Sequence, residues 1–311
     1  MTPGREDVII IGAGPAGIAA GIQLKRSGLN PVLIERDRPG GLLWNAHRVE
    51  NYPGFPGAVA GPDLIRLFRK QLAGAGLTIT SADVRQVSRS RNGFRVDGGG
   101  EVMEARAVIV ASGTVPRQLP PARLGGCDLS IAFYEPRDIP SGKRNRIAII
   151  GGGDAAFDYA LGLAGDGCTV DIFFHSSRPR ALGLLVQRAR DTTNIRIHPR
   201  TSVVPLSNRD GKLVMETETG NRHQADVLLI AIGRDSNMEF LDGDLREEIR
   251  RAGPEGVPGL ILAGDVRRGH RRQVAIAVGD GVAAAMRIAS AGTERQSEAH
   301  TTKSTKDTKN A

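Results

Sequence analysis

A chain of 311 residues with a formal charge of +8 has room for two domains of ordinary size. Its two cysteines, Cys127 and Cys168, exclude a disulfide framework and a thiolate metal cluster, so no metal is expected and a cytoplasmic address is the default. No run of 18 apolar residues or secretory layout argues for a membrane, and without basic-aromatic interleaving the positive balance does not point to nucleic acid.

The first element is an apolar strand, Val8-Ile9-Ile10-Ile11, which runs into Gly12-Ala13-Gly14-Pro15-Ala16-Gly17. In such a unit the first glycine allows a tight turn and the second lets backbone approach a pyrophosphate. The third lets the helix pack on the strand. The free N–H groups and positive dipole end of that helix then face the phosphates. A helix over 19–29 and a second apolar strand over 31–34 lead to Glu35. An acid about 20 positions after the first glycine is where a carboxylate meets ribose hydroxyls. A turn-rich loop follows, with Gly40-Gly41-Leu42 and Asn51 in it, then a helix over 61–75 opened by Pro62. Short alternating strands occupy 83–103, and a buried strand over 107–111 ends in Ser112-Gly113.

A proline-rich joint at 115–121 opens the second half. There the strand at 147–150 feeds Gly151-Gly152-Gly153-Asp154-Ala155-Ala156, with alanine at the third small position. Its next strand, 169–174, is followed by His175-Ser176-Ser177-Arg178-Pro179-Arg180 rather than by an acid. His175, Arg178 and Arg180 suit a 2′-phosphate, the arginines through their fork of donors, which favours NADPH and leaves NADH open. A strand over 227–232 closes this half at Gly233, and the strand at 259–263 then meets Gly264-Asp265 before a helix that begins near Gln273. The expected fold is α/β, with two Rossmann-like three-layer dinucleotide-binding domains. Residues 1–115 and 245–292 form one, 116–244 are inserted as the other, and 293–311, almost without apolar residues, form a disordered tail.

The two glycine turns, Gly40-Gly41 with Val49-Glu50-Asn51-Tyr52-Pro53-Gly54, Ala111-Ser112-Gly113, Ala231-Ile232-Gly233, and Gly264-Asp265-Val266 with Arg272-Gln273 belong together. In that combination the chain resembles low-molecular-weight thioredoxin reductase-type flavoproteins over roughly 5–292. The resemblance implies FAD on Gly12, Gly14, Pro15, Ala16, Gly17, Glu35, Arg36, Gly41, Leu42, Asn51, Val84, Ala111, Ser112, Gly113, Gly264, Asp265, Arg272, Gln273 and Val274. Asp265 would reach the ribityl and phosphate region. NAD(P)H would lie on Gly151, Gly153, Asp154, Ala155, Ala156, His175, Arg178, Arg180, Ile232 and Gly233. Hydride transfer from nicotinamide to flavin and a homodimer are implied as well.

Two departures from that pattern matter. In ungapped alignment the family's C-x-x-C falls on Tyr134 and Arg137, and its paired arginines fall on His175 and Ser176, leaving Arg180 in place. Without a dithiol, electrons are expected to leave the flavin for an acceptor outside the chain. An iron–sulfur protein is the first candidate, ferredoxin-like or a sulfur-inserting enzyme of lipoate assembly, with flavodoxin beside it. Arg267, Arg268, Arg271 and Arg272 crowd the turn after Asp265 and would steer such an acidic partner. An external disulfide as acceptor and a non-enzymatic redox sensor stay open as alternatives. The sequence demands no acid, base or nucleophile. Tyr134, as a cover over the flavin, and Asp138, as a proton carrier, are the catalytic candidates.

Overall fold

The computed structural model describes residues 5–120, 129–140, 142, 145–209, 212–217 and 220–307. Cys127 lies outside them, and so do residues 308–311 of the expected tail. The chain forms two compact units: Met1–Leu43, Leu64–Thr114 and Ser236–Ala311 in one, Trp44–Asp63 and Val115–Asp235 in the other. The expected boundaries therefore shift. Residues 236–244 join the first unit, and 44–63 pack with the second, where the Asn45 and Glu50 side chains and the His47 N–H of that loop bond to Glu135, Arg188 and Asp158. The chain passes between the units at two short strands, Thr114–Pro116 and Arg234–Ser236, which pair with each other.

In the first unit the strand Arg5–Ile11 lies between Pro31–Glu35 and Val102–Val110, parallel to both. Ile79–Ser81 extends the sheet beyond Pro31–Glu35, and Leu260–Leu262 pairs in parallel with 108–110. Val8, Ile9, Ile10, Val108, Ile109 and Val110 are all buried, as a parallel sheet covered on both faces requires. One face carries the helices Pro15–Arg26 and Val274–Asp307, packed through Ile18, Leu24, Ala277, Ala284 and Ala285. The other carries Val87, Phe94 and Val96 of the antiparallel strands Gln86–Ser90 and Gly93–Asp97, with Leu245 and Ile249. The last two belong to the helix Gly243–Ala252, which the Asp242 carboxylate caps by accepting the Leu245 N–H at 2.8 Å and which stops at Gly253, φ +84°.

The second unit holds a five-stranded parallel sheet in the order Ile195–His198, Thr169–Phe173, Arg146–Ile150, Val227–Ile230, Ala132–Phe133. Helices Asp154–Gly165 and Gly183–Asp191 cover one face through Phe157, Ala160, Leu163 and Val186. The other face is covered by an antiparallel sheet of Val203–Arg209, Lys212–Thr217 and Arg222–Ala225, through Leu213, Met215 and Ala225.

The helix Val274–Asp307 departs from expectation in its length. It continues through 293–307, where a disordered tail was expected, because that stretch has no glycine beyond Gly292 and no proline, and extending a formed helix costs little. Its part Val274–Ala291 is also long and apolar enough, by length and composition, to cross a membrane. Asp280 and Arg287 interrupt it, so no run of 18 apolar residues exists, and Ala277, Ala284 and Ala285 are buried in the core of the first unit. We read it as a core helix.

Helix contact in that core leaves no room for a methyl group at Gly281, whose Cβ would lie 2.0 Å from the Ala16 carbonyl oxygen, whereas Gly279 faces open space. Gly281→Ala should therefore lower stability by about 1–3 kcal/mol. Gly279→Ala should raise it by about 0.5–1 kcal/mol through helix propensity. Thermal unfolding of the pair checks this, and two equal shifts would sink it.

Candidate functional site

The parallel strands of the first unit end on a common edge. Gly12 turns at φ +101°, and a Cβ there would lie 2.4 Å from the Ala111 carbonyl oxygen. A Cβ on Gly17 would lie 1.8 Å from the Gly12 carbonyl oxygen, while one on Gly14, the residue before helix Pro15–Arg26, meets nothing within 4 Å. The turn is thus closed behind and open in front. Glu35, at the end of its strand, accepts the Ala13 N–H at 2.8 Å and the Asp37 N–H at 3.1 Å, which fixes its carboxylate beside the turn. Gly40 donates its N–H to the Ala13 carbonyl at 2.8 Å, and a Cβ on Gly41 would stand 3.5 Å from the Gly14 Cα. Arg36 is exposed next to Glu35, and Leu42 and Val84 are half-buried.

The neighbouring strand ends complete this edge. Ala111 donates its N–H to Ile11, the Ser112 hydroxyl donates to the Asn237 carbonyl at 2.6 Å, and Asn237 donates to the Gly113 carbonyl. Gly264, φ +78°, packs on Ala16, and its N–H is accepted by Asp280 at 3.1 Å. Asp265 and Val274 are half-buried, Arg272 also, and Gln273 is exposed. Of the residues expected on this edge, Asn51 alone falls in the other unit. The four arginines expected as a free patch are not all free. Arg267 binds Glu255, which holds that carboxyl below its ordinary range, and Arg268 clamps the buried Asp280. Both partners lie near in space but not in the sequence window that suggested the patch.

The second unit repeats the turn with different walls. Gly151 turns at φ +150°, with the Ala231 carbonyl oxygen 2.2 Å from where a Cβ would stand, and Gly153 at the start of helix Asp154–Gly165 is open. Ala156 is fully buried against the strand and Ala155 is exposed. The loop after Phe173 folds back onto the turn: Arg180 and Ala181 donate their N–H groups to the Gly152 carbonyl at 2.7 and 3.1 Å, and Leu182 donates to Asp154 at 2.8 Å. His175, Arg178 and Arg180 are exposed on that loop. Ile232 is half-buried, and the Gly233 carbonyl accepts the Arg117 N–H at 3.0 Å, with the Arg117 side chain 3.5 Å from where a Gly233 Cβ would stand. Arg117, read only as part of a joint, therefore borders this edge.

Within the second unit a cleft of about 260 Å³ is lined by Trp44, Asn45, His47, Arg137, Asp158 and Tyr159, among others. Glu135 is buried beside it, accepts from Asn45 at 2.9 Å and Arg234 at 3.0 Å, and pairs by charge with Arg137, whose Nε stands 2.8 Å away. No sequence pattern signals this network, because Glu135, Arg234 and Asn45 are far apart along the chain. The catalytic candidates sit at its margins. The Tyr134 hydroxyl accepts the Leu119 N–H at 3.2 Å, and its ring packs on the cluster under the antiparallel sheet. Asp138 is exposed, 3.7 Å from Arg137. Burial pushes the Tyr159 phenol up to about 12. Burial also raises the Asp158 carboxyl, against the opposing effect of the His47 N–H that it accepts at 3.2 Å.

The profile of the pyridine nucleotide-disulphide oxidoreductase family matches residues 6–281. The chain is 30% identical to the thioredoxin reductase of Bacillus subtilis over 297 residues, 91% of this chain and 93% of that protein. It is 32% identical to NADPH-dependent thioredoxin reductase 3 of Arabidopsis thaliana over 90% of this chain, which spans 57% of that longer protein. Among solved structures, thioredoxin reductase of Lactococcus lactis superposes with a TM-score of 0.77 at 28% identity, covering 91% of this chain and 97% of that one. Thioredoxin reductase of T. acidophilum gives 0.78 at 25% identity over 93% and 99% of the two chains.

The raised Asp158 carboxyl has a consequence for stability. Its proton is held more tightly folded than unfolded, so the contribution is fully present below the ordinary value near 4 and is lost as pH rises through the folded value. Asp158→Asn keeps an acceptor for the His47 N–H and removes the titration. Its melting temperature should equal or fall below that of the unaltered protein at the acid end and exceed it at neutral pH. Parallel melting curves across pH would refute the assignment.

Proposed function

The chain belongs to the pyridine nucleotide-disulphide oxidoreductase family, and on that premise we propose that it is an FAD-dependent NAD(P)H oxidoreductase whose electrons go to an acceptor outside the chain. The observation that carries this is the repeated turn: Gly14 and Gly153 each leave open space at a helix start, while Gly12 and Gly151, two positions earlier, are each closed in by a neighbouring carbonyl. That cradle fits a pyrophosphate, since backbone and a helix N-terminus can meet the phosphates without a side chain between. FAD is assigned to the first unit, on the turn, Glu35, 111–113, Gly264, Asp265, Arg272, Gln273 and Val274. NAD(P)H is assigned to the second unit, on Gly151, Gly153 to Ala156, His175, Arg178, Arg180, Ile232 and Gly233. Bound FAD supplies two-electron uptake from a reduced nicotinamide and release in one- or two-electron steps. The chain binds and orients: Glu35 holds an adenosine ribose, and Arg178 and Arg180 offer donors to a 2′-phosphate.

For the acceptor, the relatives favour a disulfide, because the full-length ones are named thioredoxin reductases. In that reading NAD(P)H and one solvent proton convert one disulfide into two thiols. The contrary observation is local. Positions 134 and 137 hold a tyrosine and an ion-paired arginine, the sequence has no C-x-x-C, and Cys168 is buried. This supports a second reading, with an iron–sulfur protein or flavodoxin as the acidic partner. A homodimer without nucleic acid accompanies either reading.

Anaerobic mixing of the FAD-loaded protein with NADPH and NADH separately, then with thioredoxin, a small disulfide, ferredoxin and flavodoxin, decides. Flavin bleaching with turnover on a disulfide supports the first reading, and turnover on the electron carriers alone supports the second. A flavin that neither nucleotide bleaches overturns the enzyme and leaves a sensor. Glu35→Ala should weaken FAD retention by about 10- to 100-fold, the worth of a charged hydrogen bond. Replacing Arg178 and Arg180 by glutamine should raise the KM for NADPH and leave that for NADH unchanged.

A further inference from the structure

A second cluster of chemistry-bearing side chains lies in the inserted unit, outside both turns. Asp171 comes from the strand Thr169–Phe173, His198 ends the adjacent strand Ile195–His198, and His223 comes from Arg222–Ala225 of the antiparallel sheet. One ligand atom from each lies within 4.8 Å of the others. The Asp171 side chain is only 7% exposed, and its Oδ1 stands 2.8 Å from His198 Nε2. We propose that Asp171, His198 and His223 form a binding site for a zinc-type divalent metal ion, a site that plays no part in the oxidoreductase reading.

Three features support it. Two imidazoles and a carboxylate are a donor set suited to zinc and its first-row neighbours, in contrast to the oxygen-only sets that suit magnesium or calcium. The spacing is within side-chain reach of what such an ion needs. Around a tetrahedral ion with bonds of about 2.0–2.2 Å the donor atoms stand about 3.3–3.6 Å apart, so the 2.8 Å Asp171–His198 contact must open slightly and a separation near the 4.8 Å limit must close by about an ångström, through rotation of the side chains. The ion would take the place of the direct contact between Asp171 and His198.

The surroundings also hold the imidazoles in place. The Phe173 ring stacks on His198, centroids 4.5 Å apart and 10° from parallel, and meets His223 edge-on at 4.9 Å. The two imidazoles are themselves T-shaped at 4.9 Å. Rings fixed this way lose little freedom when they ligate, which is the role that supporting groups play around metal sites. Arg146 and Arg196 add positive charge near the carboxylate, so the site is weaker than one without them. Three protein ligands leave a fourth position for water or another donor. Because His223 comes from the antiparallel sheet and the other two from the parallel one, a bound ion would tie the two sheets together.

The test uses the full-length FAD-loaded protein, stripped with chelator and titrated with zinc chloride by calorimetry, and with cobalt(II) by visible absorption. One equivalent should bind, with the intense visible bands of a four-coordinate cobalt site. Zinc should raise the melting temperature. His223→Gln and Asp171→Asn, each checked for unchanged FAD content and circular dichroism, should weaken zinc binding by at least about tenfold and lose the thermal shift. His223 is half-exposed, so its variant reports even where a change at Asp171 disturbs folding. No saturable binding, or equal affinity in the unaltered protein and the His223→Gln variant, overturns the proposal.

Discussion

Two carbonyl oxygens govern this architecture. The Gly12 carbonyl stands where a side chain on Gly17 would be, and the Ala111 carbonyl stands where one on Gly12 would be. The helix can start against the strand only because both positions lack a Cβ, and a strand-to-helix turn this tight aims the free N–H groups of the first helical residues outward. The other elements of the first unit follow from that. Glu35 is fixed by an N–H of the same turn, Gly40 by a carbonyl of it, and Gly264 packs on its helix. The inserted unit meets the same constraint with another neighbour, the Ala231 carbonyl against Gly151. Backbone crowding on one side and open space on the other make an open cradle out of ordinary strand and helix.

These parts were legible because each is local or periodic. Glycines at fixed spacing after an apolar run specify a turn, and runs such as Val227–Ile230 specify a doubly covered strand. The unread parts depend on contacts between distant positions. Nothing in Trp44–Asp63 shows that Asn45 meets Glu135, that His47 meets Asp158, or that Arg188 grips Glu50 with two bonds of 2.7 and 2.9 Å. Hence the loop was placed with its sequence neighbours rather than with the inserted unit. The same holds for Asp171, His198 and His223, which share no short spacing that a ligand motif would show. The helix through 293–307 was missed for a different reason. Low apolar content argues against a core, but it does not stop a helix that the preceding residues have already nucleated.

Charge shows the same division between composition and placement. The excess of arginine reads as a reservoir for attracting an acidic partner, yet the structure commits much of it internally. Arg89 grips Glu248, Arg188 grips Glu50, Arg267 binds Glu255, and Arg268 binds the buried Asp280 that also holds the Gly264 N–H. Exposed pairs of this kind contribute about 0–1 kcal/mol each and do little for stability. The Arg268–Asp280 pair is different in kind, since its carboxylate is buried and supports the turn at Gly264. Long-range attraction of a partner then depends on the charges left over, among them the exposed Arg271.

The Glu135 network bears on the acceptor through the same logic of burial. A carboxylate this enclosed is tolerable because two guanidinium groups and an amide surround it, and removing one member of such a set typically costs about 3–5 kcal/mol. Arg137, at the second position where the resemblance would put a cysteine, is a member of that set. A cysteine there could not replace its charge, and Glu135 would keep only Arg234 and Asn45. The segment is therefore organised around an ion cluster, and its position between Pro136 and Ile139 is held by that cluster and by the turn from Asp138 to the Glu135 carbonyl. A segment built this way contributes no thiol, so any disulfide exchange at this protein would proceed without a cysteine from 134–137.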